Sequence, residues 1–180
     1  MTSSDSRRDD LRDEMQALLD KLFSNLKKNG FQFARQDFMC SMGCGLQEIV
    51  NISEKREAAG KEPITRWAFY HEQDAAMVKY GDVHIAYGDA VEQGEDVRQA
   101  ALAAGLCVIW DGDILSRVEV MHPDAVEHRV KNLQYIISIN AERITSGQAE
   151  EPWRVAEWVA KDKARLESLT EPTCGESSGA

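Results

Sequence analysis

A chain of 180 residues, 43% hydrophobic and 29% charged, has the length and composition of one globular domain with room for an extension. Its 31 acidic and 21 basic residues leave a net charge of -10, and no run of Lys or Arg exceeds a pair, as at Arg7-Arg8 and Lys27-Lys28. Nucleic acid is therefore not expected as a ligand. No apolar run reaches the length of a membrane span and residues 1–10 carry no signal-peptide core, so no membrane partner and a cytoplasmic location are expected.

Residues 1–8 are expected to be disordered. Leu11, Met15, Leu18, Leu19, Leu22, Phe23 and Leu26 recur at helical spacing, and Gly30 supplies a stop. Residues 31–33 open a short extended or irregular segment that leads into a Gly-containing turn at residues 40–45. A second helix is predicted from about Cys44 to Ala59, ended by Gly60.

Three apolar runs follow, at residues 67–70, 83–87 and 106–110, each closed by polar or glycine residues. A fourth, 118–121, alternates. All four read as strands of one sheet, the last two as an antiparallel hairpin around Asp111-Gly112-Asp113. Residues 71–79 could form a short helix. The order Asp89-Ala90-Val91-Glu92 has the capping-box pattern before an Ala-rich helix that ends at Gly105. Beyond His122-Pro123-Asp124, Val126, Val130, Leu133 and Ile137 predict a helix near 124–145, although 135–139 would also fit a strand. Pro152 opens a last helix near 153–169, with a mobile tail from 170.

The expected fold is α+β: a small mixed four-stranded sheet flanked by helices (9–122), with a C-terminal helical extension (123–169) between disordered ends (1–8 and 170–180). If the first three strands share a direction, His71, Gly88 and Asp111 lie at one sheet edge, where ligands of open α/β sheets bind.

Four cysteines in such a chain are expected to be free thiols or metal ligands rather than a disulfide framework. Cys40 and Cys44 have the spacing of a zinc hook, but zinc needs further ligands, for which His71 and Asp74 are the nearest in type. His84 and Cys107 fall inside predicted strands. Alternatively, Cys44 at a helix start would have a lowered pKa, with His71 as base and Asp74 as orienter. The bland alternative is a pair of half-buried thiols at a turn, with His71 to Asp74 holding loops. Any functional pocket is expected to be lined by His71 and Asp74, with the two cysteines on its wall. Trp153 and Trp158, five residues apart, do not share a narrow helix face; they are expected to pack the last helix, though an exposed Trp could anchor an interface.

The succession Cys40-x3-Cys44-Gly45, Tyr70-His71-Glu72-Gln73-Asp74, Ile85-Ala86-Tyr87-Gly88 and Ala104-Gly105-Leu106-x-Val108-x-Trp110-Asp111-Gly112 resembles an uncharacterised bacterial family, a domain of unknown function. The resemblance spans about half the chain, leaves residues 123–180 aside, and implies a small α+β bacterial domain without an activity. The expectation is thus a non-catalytic protein-binding or regulatory module, with a protein partner or self-association and no cofactor. The competing expectation is a metal- or thiol-dependent enzyme using Cys40, Cys44, His71 and Asp74.

Overall fold

Strands form where apolar runs end in breakers. They are β1 (Phe33–Arg35), β2 (Trp67–Phe69), β3 (Asp82–Tyr87), β4 (Cys107–Ile109) and β5 (Val118–Met121). In a computed structural model describing residues 3–170, they make one sheet in the order β1-β2-β3-β5-β4. The expected tail from 170 falls almost wholly outside the described residues.

The four expected strands share this sheet, and β4 and β5 are antiparallel neighbours. The sheet has five strands rather than four. The addition, β1, is three residues long and pairs in parallel with β2, Phe33 opposite Trp67. Its register is held from outside: the Gln32 side-chain carbonyl accepts from the Thr65 and Arg66 amides at 2.7 and 3.1 Å.

A shared direction for the first three expected strands does not hold. β2 is antiparallel to β3, so His71 and Gly88 leave opposite ends of the pair. Extending the register from Phe69↔Ala86 by two residues sets His71 opposite His84 instead.

Side chains alternate across a strand, so each face has its own covering. On one face, Ala68, Val83, Ile85, Tyr87, Val108, Val118 and Val120 pack against two helices, α1 (Ser3–Lys28) and α4 (Val91–Ala104). Met15, Leu19, Leu22 and Val97 of those helices are fully buried. α1 begins at Ser3, ahead of the expected start at residue 9. α4 starts one residue later than the capping-box pattern implies: its N-cap is Ala90, with no side-chain cap bond.

The other face is covered in two halves. α2 (Met42–Ala58) packs Ile49 over Phe33, Trp67, Phe69 and Ala86. Its contact is close because Gly45 has no side chain: a Cβ there would stand 2.5 Å from the Phe69 ring. The second half, over β3, β5 and β4, is covered by α5 (Pro123–Thr145) and α6 (Pro152–Thr170), an antiparallel hairpin. Residues 135–139 lie inside α5, which resolves the helix-or-strand choice. A short helix, α3 (Glu72–Ala75), follows β2, and a 3-10 turn at Val78–Tyr80 leads to β3.

Candidate functional site

Alternation puts Asp82 and His84 of β3 on the face that the helical hairpin covers. Cross-strand pairing adds Glu119 opposite His84 and Met121 opposite Asp82. Asp82 and Glu119 are buried, 6% and 5% exposed, so both carboxylates need partners. The hairpin supplies them. Arg165 of α6 donates to a Glu119 oxygen. Arg129 of α5 lies 3.8 Å from Asp82 and 3.9 Å from Glu119. His84 Nε2 is 3.8 Å from Glu119.

Burial, reinforced by the Glu119 charge, pushes the Asp82 carboxyl up to about 6, against the pull of Arg129 and Arg165. Burial also pushes His84 down, outweighing the attraction of Glu119.

The ligand atoms of Asp82, His84 and Glu119 lie within 4.8 Å of one another. Two guanidinium groups already neutralise this trio, so a metal ion would have to displace them. The structure favours an ion-paired clamp there over a metal centre. A second trio, Glu14, His122 and Asp124, is a helix start: His122 Nδ1 accepts the Asp124 amide and caps α5.

His71 and Asp74 meet as expected from their spacing of one turn. His71 Nε2 is 3.1 Å from Asp74 Oδ2, and both side chains are buried. Arg117, two residues before Glu119, donates to the same oxygen at 2.8 Å and comes within 3.4 Å of His71 Nε2. His71 Nδ1 is buried with no hydrogen-bond partner among the described residues. Arg117 also lines a cavity of about 610 Å³ with His84, Trp110, Glu119, Lys161 and Arg165.

Cys40 and Cys44 meet each other instead, with sulfurs 3.0 Å apart. Cys40 is exposed and Cys44 half-buried, and both are free thiols. Among the described residues, no group of three or more potential metal ligands includes a cysteine. The four expected residues thus form two pairs with no described bond joining them. Cys107 differs from the other two: it is buried in β4 and disulfide-bonded, against the expectation of free thiols.

Sequence reasoning missed Asp82, Arg117, Glu119, Arg129 and Arg165. The alternation at 82/84 and 117/119/121 marks a common face, but a charge at a strand position reads by default as solvent-facing.

The raised Asp82 pKa has a direct consequence. Below its ordinary value of 3.8 the carboxyl is neutral in both states. Between there and about 6 the unfolded chain ionises first, so this group's contribution to stability falls as pH rises. Above about 6 a constant destabilisation remains, on the order of 3 kcal/mol at 1.36 kcal/mol per unit. Asp82→Asn is therefore expected to stabilise the protein at pH 7 by about 2 kcal/mol, less than the full figure because Arg129 loses a partner. Urea midpoints from pH 4 to 7 should lose the Asp82 slope in the variant. An unchanged slope, or a less stable variant at pH 7, would contradict the assignment.

Fold and site together define an α+β domain in which one half of a mixed sheet is closed by an ion-paired helical hairpin. The chain belongs to a family described as Domain of unknown function (DUF6891), whose model matches residues 13–129. The motifs between residues 40 and 112 lie within that match. It stops at Arg129, so most of α5 and all of α6 lie beyond it. No curated protein and no solved structure matches the chain.

Proposed function

We propose that the protein is a non-catalytic binding module that works by self-association through the free half of the α5–α6 hairpin. The observation that carries this reading is an apolar surface that no packed element covers among the described residues. Near the sheet, Val126, Val130, Leu133 and Leu166 pack around Met121. Farther out, the hairpin's buried apolar residues, Ala149, Val155 and Val159, come from the hairpin itself. Ile136 lies seven residues after Arg129 and Trp158 seven before Arg165, so each shares a helix face with an arginine that reaches Glu119. Beyond the sheet those faces stay open among the described residues, apart from the Arg154 guanidinium over the Trp158 ring: Ile136 is 42% and Trp158 47% exposed, with Ile139, Tyr135 and Trp153 also exposed.

Charge favours a second copy as the occupant. Residues 123–170 hold eight acidic and seven basic side chains, a net of -1 within a chain of -10. Two hairpins can therefore approach without the repulsion that the acidic body would impose, and a two-fold pairing would complete a four-helix arrangement. This reading needs no cofactor and keeps the location in a bacterial cytoplasm, with the Cys107 disulfide as the observation opposing that location, since such bonds persist mainly in oxidising compartments. An enzyme built on Cys40, Cys44, His71 and Asp74 ranks lower because the two pairs share no described group.

Sedimentation velocity across a concentration series tests the reading. The full chain is expected to dimerise. Ile136→Asp with Trp158→Asp should weaken the dimer by about 30-fold or more, the scale of losing a hot spot. A wild-type chain that stays monomeric throughout the series removes the proposal.

A further inference from the structure

We propose that Cys40 and Cys44 form a reversible dithiol–disulfide site that reacts with small-molecule disulfides, Cys44 as the attacking sulfur and Cys40 as the resolving one. Nothing in this depends on the helical hairpin.

The local fold brings the sulfurs together. Ser41 caps α2 in an extended conformation, φ -157°, and its hydroxyl accepts the Cys44 amide at 3.4 Å. Cys40 is the residue before the cap and Cys44 the third residue of the helix. A side chain before the cap can fold back over the first turn, as in a hydrophobic staple, but here it meets the third helical residue rather than the fourth, which is Gly45. Here the two groups that meet are thiols. Their sulfurs are 3.0 Å apart, about 1 Å beyond a disulfide bond of about 2.05 Å.

The loop before Cys40 is held on both sides. The Phe38 amide donates to the Tyr70 carbonyl at 2.8 Å, and the Glu72 amide to the Met39 carbonyl at 3.0 Å. The Phe38 ring packs edge-on against Phe33 and Phe69. Within this clamp, Asp37 (φ 48°) and Met39 (φ 63°) both adopt the left-handed conformation that non-glycine residues rarely take. Anchoring, rather than local preference, thus fixes Cys40 beside Cys44. Access is open: Cys40 is exposed, and a Cβ on the intervening Gly43 would meet nothing within 4 Å.

The two thiols are not equivalent. Hydrogen bonds from Ser41 and then Cys40 lower the Cys44 pKa, while the bond with Cys44 raises that of Cys40. Cys44 also stands in the first turn of α2, where backbone amides favour a thiolate. The Cys44 thiolate attacks one sulfur of a disulfide RS–SR, forming a mixed disulfide and expelling RS⁻. Cys40, losing its proton, then attacks the Cys44 sulfur and expels the second RS⁻. The two thiol protons of the protein end on the two RSH products. The protein is oxidised by two electrons and the small disulfide is reduced.

Oxidised glutathione added to the reduced full-length chain tests the site, with peptide mapping to separate it from Cys107. The wild type should yield a Cys40–Cys44 disulfide and retain no glutathione. Cys40→Ser should trap one glutathione on Cys44. Cys44→Ser should leave Cys40 reacting about tenfold or more slowly than Cys44 does in Cys40→Ser, and that difference should vanish in denaturant. Glutathione retained by the wild type, equal rates for the two single variants in the folded state, or zinc bound to the pair as purified would each overturn the proposal.

Discussion

Replacing Arg129 and Arg165 together with methionine is expected to destabilise the protein by about 3–5 kcal/mol, the range for stripping buried charges of their partners. Both arginines are only half-buried, so the lower end of that range is expected. The loss comes from the carboxylates left behind: Asp82 and Glu119 would remain under the hairpin with no counter-ion from it. The penalty should be smaller at pH 5 than at pH 7. The two arginines pull the Asp82 pKa down, so without them the carboxyl takes up its proton above about 6, and at pH 5 it is neutral in both folded proteins. Denaturant midpoints at pH 5 and 7 measure both effects. A loss under about 1 kcal/mol at pH 7 would show that the clamp is a solvated pair of surface contacts. The damage should also be local at first, with α5 and α6 becoming protease-sensitive before the sheet does.

The second large effect belongs to the opposite half of that face. Phe69→Ala is expected to destabilise by about 3–5 kcal/mol, the usual range for truncating a buried aromatic. Phe69 is fully buried and contacts both Phe38 and Trp67. Its ring also stands where a Gly45 side chain would go. Gly45→Ala should therefore destabilise the wild type by about 1–3 kcal/mol through overpacking. In the Phe69→Ala background the same change should be neutral or stabilising, because the new methyl enters vacated space and alanine favours the helix. Additive effects in the double-mutant cycle would mean that α2 and Phe69 are not in direct contact.

These two sites differ in how far they can be read from sequence. Strand positions 67–70, 83–87, 106–110 and 118–121 are legible because apolar runs between breakers have few alternatives. β1 is not, since three residues carry no period and Phe33 gains its pairing only from Trp67, 34 positions away. The His71–Asp74 contact follows from one helical turn, but Arg117, which completes it, is 43 residues distant and needs the sheet register. Strand direction was equally hidden, because side-chain alternation is the same whichever way a strand runs. Glu119 illustrates the limit best. Between Val118 and Val120 it looks like a solvent-facing position of a half-buried strand. It is buried because Arg165, 46 residues later, folds over it. The cysteine pair was legible as a pair, but its separation from His71 was not.

The strand order also governs how the chain can assemble as it is made. β5 lies between β3 and β4, yet it is the last of the three to leave the ribosome, about 30 residues after β3 ends. At about 5–20 residues per second, β3 waits roughly 2–6 seconds for its neighbour. During that interval its β5-facing edge stays unpaired, as does the facing edge of β4 once that strand emerges. A nascent chain stalled before Val118 would keep both edges open, available to any other strand, including one from a neighbouring copy.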